Sequence, residues 1–143
     1  MGELRYLPVD RAGVEPPGPR TWELTEHSRP MPMNEYRKLH HFARAAYDAE
    51  WRKVFWVAAR KAKVPRLGGA IVNVYLHCRP GTPLPDACAL APTSKAAIDG
   101  ALVDAGVLAD DSPPFLHGVF LVAPRRSSDA RDHFTLEIVE DLR

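Results

Sequence analysis

Cysteine is scarce in this 143-residue chain: Cys78 and Cys88 are the whole complement, too few to staple a fold through disulfides. No apolar run approaches the roughly 20 residues that cross a bilayer, and no charged-then-apolar signal opens the chain. A reduced, cytoplasmic protein without membrane contact is therefore expected. Signatures of nucleotide handling and acyl transfer are missing as well. There is no GxxxxGK[ST] loop, no GxGxxG and no GxSxG, so no nucleotide cofactor is expected. His77, Cys78 and Cys88 lack the CxxC or HxxxH spacing of a zinc site. His40 and His41 are neighbours, about 100° apart on a helix, and cannot easily share a ligand. No internal repeat or inter-domain linker is visible.

What the chain does carry is a charge asymmetry under a net charge of +1. Residues 1–66 hold 13 Lys/Arg against 8 Asp/Glu, whereas residues 67–143 hold 6 against 10. A basic half attracts polyanions, and an acidic half can hold a divalent cation. With 45% hydrophobic residues, the chain has the size and composition of one ordinary domain with a self-sufficient core.

Residues 1–20 are rich in Pro and Gly without periodicity and read as an irregular lead-in, leaving 21–143 as the folded domain. Thr21 to His27 alternates as a first strand, closed off by Pro30 and Pro32. From the potential N-cap Asn34 to Lys63 neither Gly nor Pro intervenes, predicting one long helix. Ala43, Tyr47, Trp51, Val54, Phe55, Ala58 and Ala62 form its apolar stripe, with Arg37, His41, Arg44, Asp48 and Arg52 on a neighbouring, mostly basic line. Residues 70–78, AIVNVYLHC, are a strand with Val72, Val74, Leu76 and Cys78 on one face. Pro92 opens a short helix whose apolar face is Ile98, Ala101, Leu102 and Ala105, and Gly106 stands where a C′ glycine belongs. Residues 115–123 and 133–139 complete the chain as two strands, read as a hairpin whose charged loop holds Arg125, Arg126 and Arg131. The fold expected is α+β, a single two-layer domain in β-α-β-α-β-β order, one mixed sheet packed on a long and a short helix.

Three acidic residues lie in loops flanking the short helix: Asp86 before it, Asp110 and Asp111 after it. Mg²⁺ is commonly held by one or two carboxylates, with water and substrate phosphate completing its octahedron. Such an ion generates hydroxide and stabilises the leaving oxygen of a phosphodiester. Lys95, in the first turn of the same helix, would offset charge on the attacked phosphate. Read blandly, the same residues are a solvated Asp-Asp turn and a Lys95–Asp99 i,i+4 pair.

The segment Lys95 to Ser112, KAAIDGALVDAGVLADDS, resembles the signature of the RusA family of Holliday-junction resolvases. The stretch MNEYRKLHHFARAAYDAEWR resembles the family's Asn-x-x-Arg entry into a long basic helix, and VPRLGGAIVNV its passage into the next strand. The resemblance covers roughly residues 21–140. It implies a dimeric, Mg²⁺-dependent endonuclease (Mn²⁺ substituting) that cuts four-way DNA junctions, a type often encoded by phages and prophages. By position it assigns Asp111 as the catalytic aspartate with Asp110 beside it, Lys95 as the catalytic lysine and Asp99 as the helix aspartate. Asp86, Asp110 and Asp111 would be the metal ligands, and Arg37, Arg44, Arg52, Lys53, Arg125, Arg126 and Arg131 the contacts to DNA phosphates. One departure stands out. Where the family shows Asp-x-Asp-Asn ahead of the lysine, this chain has Asp86-Ala87-Cys88-Ala89, and a neutral thiol is a poor Mg²⁺ ligand. The alternative expectation is a catalytically degenerate relative that binds branched DNA, or a protein partner, without cleavage.

Overall fold

A computed structural model describes residues 18–142. The lead-in expected over residues 1–20 lies outside the described residues up to position 17. The elements are β1 (Thr21–Glu26), α1 (Met33–Lys38), α2 (His41–Lys61), β2 (Ala70–Cys78), α3 (Ala91–Ile98), β3 (Leu116–Leu121), β4 (Arg125–Arg126) and β5 (His133–Glu140). A 3-10 turn, Ala87–Leu90, leads into α3, and a π-helical segment, Asp99–Asp104, continues it. The class is α+β, as the alternation of period-2 and helical segments predicts.

The mixed sheet runs in the order β1-β5-β2-β3, with the short β4 continuing along the β3 side of β2. β5 is antiparallel to both β1 and β2, while β3 and β4 are parallel to β2. A parallel pair needs a crossover connection, and α3 with its π segment supplies it. Burial alternates strictly along β2: Ala70, Val72, Val74, Leu76 and Cys78 are buried beneath the helices. Phe134, Leu136 and Ile138 of β5 and Leu24 of β1 continue that layer. Trp51 and Phe55 of α2 meet Phe134 edge-on at ring-centroid distances of 5.1 and 5.7 Å, a favoured aromatic geometry. No described helix is long and apolar enough to cross a membrane.

Three details differ from the sequence reading. First, β3 and β5 do not form a hairpin; they flank β2 on opposite sides. The charged segment between them pairs Arg125 and Arg126 beside His77 and Cys78, then passes the end of β2 to start β5 opposite His77. Second, the single helix expected over 34–63 is two. Leu39 and His40 are extended (ψ 142° and 151°), and the His40 ring caps α2 by accepting from the Phe42 N–H. The break lets the Tyr36 hydroxyl reach the Asp48 carboxylate at 2.9 Å; twelve residues along an unbroken helix would separate them by about 18 Å. Third, Ala43 and Ala62 of the expected stripe are exposed, and Ala59 is buried instead.

Gly106 adopts φ +78° past the π segment, the left-handed conformation a C′ glycine supplies. Gly100 is constrained differently. A Cβ there would lie 2.0 Å from the Arg52 carbonyl oxygen, so α2 and the π segment touch backbone to backbone at this position.

Candidate functional site

That close approach places Arg52 directly over the acidic end of α3. Its Nε and Nη2 donate to the two oxygens of Asp104 at 2.9 and 2.7 Å, and Nη1 lies 4.0 Å from Asp99. Five residues of α-helix turn through about 500°, which would put Asp99 and Asp104 about 140° apart. Closure by i→i+5 bonds brings them back to one side, where one guanidinium serves both. Lys95, one turn before Asp99, donates from Nζ to Asp99 at 2.7 and 2.8 Å and to Asp111 at 2.9 Å. The result is a chain of alternating charge: Asp104, Arg52, Asp99, Lys95, Asp111.

The electrostatics follow from these contacts. The Arg52 hydrogen bonds hold the Asp104 carboxyl below the usual carboxylate range, and Asp104 in turn raises the Arg52 guanidinium. Lys95's hydrogen bond likewise lowers Asp111. Partial burial works against the charged Lys95, but the carboxylates of Asp99 and Asp111 outweigh it and hold its pKa above the ordinary lysine value. Lys95 thus stays an ammonium at neutral pH: an electrostatic group, not a base. Its side chain is 64% exposed, so it can turn toward a phosphate in solvent.

Beside this chain lies a cleft of about 350 Å³ lined by Met33, Tyr36, Asp48, Arg52, Ala91, Pro92, Lys95, Ala96 and Asp99. Tyr36 and Asp48 enter because of the break between α1 and α2. Burial first, then the Asp48 hydrogen bond, raises the Tyr36 phenol, keeping it a donor. Neither residue was singled out from sequence as a site group. Their meeting depends on a break that no Pro or Gly announces.

The expected site residues are only partly brought together. Lys95 and Asp111 meet, with Asp99 as the second carboxylate. Asp110 turns away to accept from the Ser112 N–H at 2.6 Å. Asp86 lines a separate groove of about 790 Å³, with Arg29, Tyr47, Arg79 and the proline-rich loop 82–85 among its walls. In the turn before Lys95 the cleft wall carries Ala91 and Pro92. Of the expected phosphate contacts, Arg37 is exposed, and Arg44 sits over the Tyr36 ring at 5.9 Å. Arg52 is committed to Asp104, while Lys53 lines a different depression beside β1. Arg125 is exposed; Arg126 donates to the carbonyls of Arg79 and Thr82, and Arg131 lies 4.0 Å from Asp129.

The Mg²⁺ implied by the resemblance can be tested against this donor set. Among the described residues no three His, Cys, Asp or Glu side chains group so as to hold a metal ion; Asp86, Asp110 and Asp111 therefore do not form the expected ligand trio. An ion held by two carboxylates, with water and phosphate for the rest, makes a smaller demand. Asp99 and Asp111 bind the same Nζ at 2.7 and 2.9 Å, two carboxylates about one cation position that Lys95 itself fills.

The chain matches no protein-family model and no curated protein.

Proposed function

We propose that this domain is a RusA-like, metal-dependent endonuclease acting on branched DNA at the Lys95 cleft. The observation that carries the reading is the convergence of Asp99 and Asp111 on the ammonium of Lys95, itself a wall of the cleft. A divalent ion bound there would supply an activated water and charge neutralisation for phosphodiester hydrolysis. The residues of the chain do the rest. A phosphate entering the cleft competes with Asp99 and Asp111 for Lys95, whose ammonium turns to the phosphate and frees carboxylate oxygens. Arg52, fixed by its bidentate bonds to Asp104, leaves a positive charge 4.0 Å from Asp99 while Lys95 moves. Tyr36, its hydroxyl donated to Asp48, lines the same cleft. Exposed Arg37, next to the cleft residue Tyr36, contacts a backbone phosphate beside the site, a contact that positions DNA without reading sequence.

A second reading, a relative that binds branched DNA without cutting it, is favoured by a specific observation. Ala91 and Pro92 occupy the cleft wall ahead of Lys95, and Asp86 stands in another groove. Wild-type protein incubated with a labelled four-way junction in Mg²⁺ or Mn²⁺ separates the two. Metal-dependent nicks support the endonuclease. A salt-sensitive gel shift without nicks supports the binder, and the absence of both nicks and shift removes both readings.

A further inference from the structure

The break between α1 and α2 creates a second feature outside the cleft. Phe42, in the first turn of α2, is 73% exposed and belongs to no part of the core. Its ring lies 4.2 Å from that of His41 and 5.3 Å from that of His40, and the two histidine rings are 4.2 Å apart. The corner is held in shape by the His40 Nδ1 cap on the Phe42 N–H. Arg37 and Lys38 end α1 beside it, whereas Arg44, two residues beyond Phe42, turns away over the Tyr36 ring. The first turn of α2 carries no acid. The carboxylates nearest in sequence face elsewhere: Glu35 lines the Asp86 groove and Asp48 lines the cleft.

Exposed aromatic rings set among cations match the chemistry of an unpaired nucleotide, whose base stacks on a ring while its phosphates meet positive charge. Paired bases offer no free face, but bases at a branch point or in a single strand do. We propose that the α1–α2 corner is a stacking platform for an unpaired DNA base, with Phe42 as the stacking ring and Arg37 and Lys38 receiving the adjacent phosphates. The platform adjoins the cleft through Tyr36, which lies under Arg44 and binds Asp48 of the cleft wall. The inference rests on the reading of the domain as DNA-binding, and adds to it a preference for unpaired nucleotides.

The test is fluorescence anisotropy with a labelled single strand and a duplex of the same length, using the full chain as wild type, Phe42→Ala and Phe42→Trp. Stacking predicts that Phe42→Ala weakens single-strand binding by about ten- to a hundredfold, leaves duplex binding within about twofold, and that Phe42→Trp restores the loss. Because Phe42 is outside the core, the thermal melt of Phe42→Ala should match wild type. Wild-type single-strand binding unaffected by Phe42→Ala would overturn the platform while leaving the DNA reading standing. Equal losses on both DNAs, or a changed oligomeric state in size-exclusion chromatography, would overturn it in favour of backbone or protein contact. Failure of wild type to bind single strand, duplex or junction would remove the DNA reading and the platform with it.

Discussion

Replacing Gly100 by Ala tests the contact on which the site geometry depends. The added Cβ would stand 2.0 Å from the Arg52 carbonyl oxygen, 2.7 Å from its carbon and 2.8 Å from Arg52 Cα. All three atoms are backbone, so no side-chain rotation relieves the overlap. Reaching even the 3.0 Å lower limit of real contacts requires α2 and the π segment to separate by about 1 Å. Overpacking of this kind costs about 1–3 kcal/mol, occasionally more. Helix propensity acts the other way, favouring Ala over Gly by about 1 kcal/mol. Because the obstruction is backbone and cannot rotate away, the steric cost falls in the upper part of that range, about 2–3 kcal/mol, leaving Gly100→Ala roughly 1–2 kcal/mol less stable. That corresponds to a drop of roughly 2–8 °C in Tm for a chain of this size. Chemical denaturation with parallel thermal melts measures both. The same separation draws Arg52 from Asp99 and Asp104, so the variant should also bind the junction less well at equal folded fraction. A Gly100→Ala protein as stable as wild type, or more so, would refute the close approach and the account of how Arg52 reaches both aspartates.

Phe55, fully buried against Trp51 and Phe134, should cost about 3–5 kcal/mol when changed to Ala, read as a shift in the urea midpoint. Lys63 adopts φ +56° after α2, a conformation costing a non-glycine residue about 1 kcal/mol or more. Lys63→Gly should therefore raise stability by roughly 1 kcal/mol despite removing a surface charge, as a denaturant titration would register. Asp104 is held below the ordinary carboxylate range by the Arg52 hydrogen bonds. A carboxyl with its folded pKa below its unfolded value stabilises the protein above the unfolded pKa of about 4 and loses that contribution as pH falls through the folded value. Arg52→Gln should flatten the fall of stability as pH drops below about 5, by under about 1 kcal/mol because the pair is partly solvated; an unchanged acid limb would contradict the pairing.

The fold was legible where periodicity is strong. Residues 70–78 alternate cleanly because one face of β2 is covered by helices and the other is not. Pro92 and Gly106 mark the limits of the α3 region because each performs a backbone task other residues do poorly. The α1–α2 break was not legible, since it is made by a His40 cap and a Tyr36–Asp48 bond, tertiary contacts that composition does not encode. Pairing of the last strands was misread because adjacency in sequence favours a hairpin, whereas β2 offered both strands a more central partner. Within the site, Lys95 and Asp99 were legible as an i,i+4 pair, and Asp111 from the resemblance of its segment. Arg52 and Asp104 as partners were not, because their meeting follows from the missing side chain of Gly100 and the i→i+5 turn. Asp86 stood out as a loop carboxylate by spacing, but the 3-10 turn after it leaves it in a different groove.

The most direct test of the central claim is single-turnover nicking of a labelled four-way junction in Mg²⁺ by wild type and Asp111→Asn, with junction binding measured on the same preparations. Nicking should require the metal, be present in wild type, and be lost in Asp111→Asn while the gel shift persists. Equal nicking by both proteins, or no nicking by wild type in either Mg²⁺ or Mn²⁺, would contradict it.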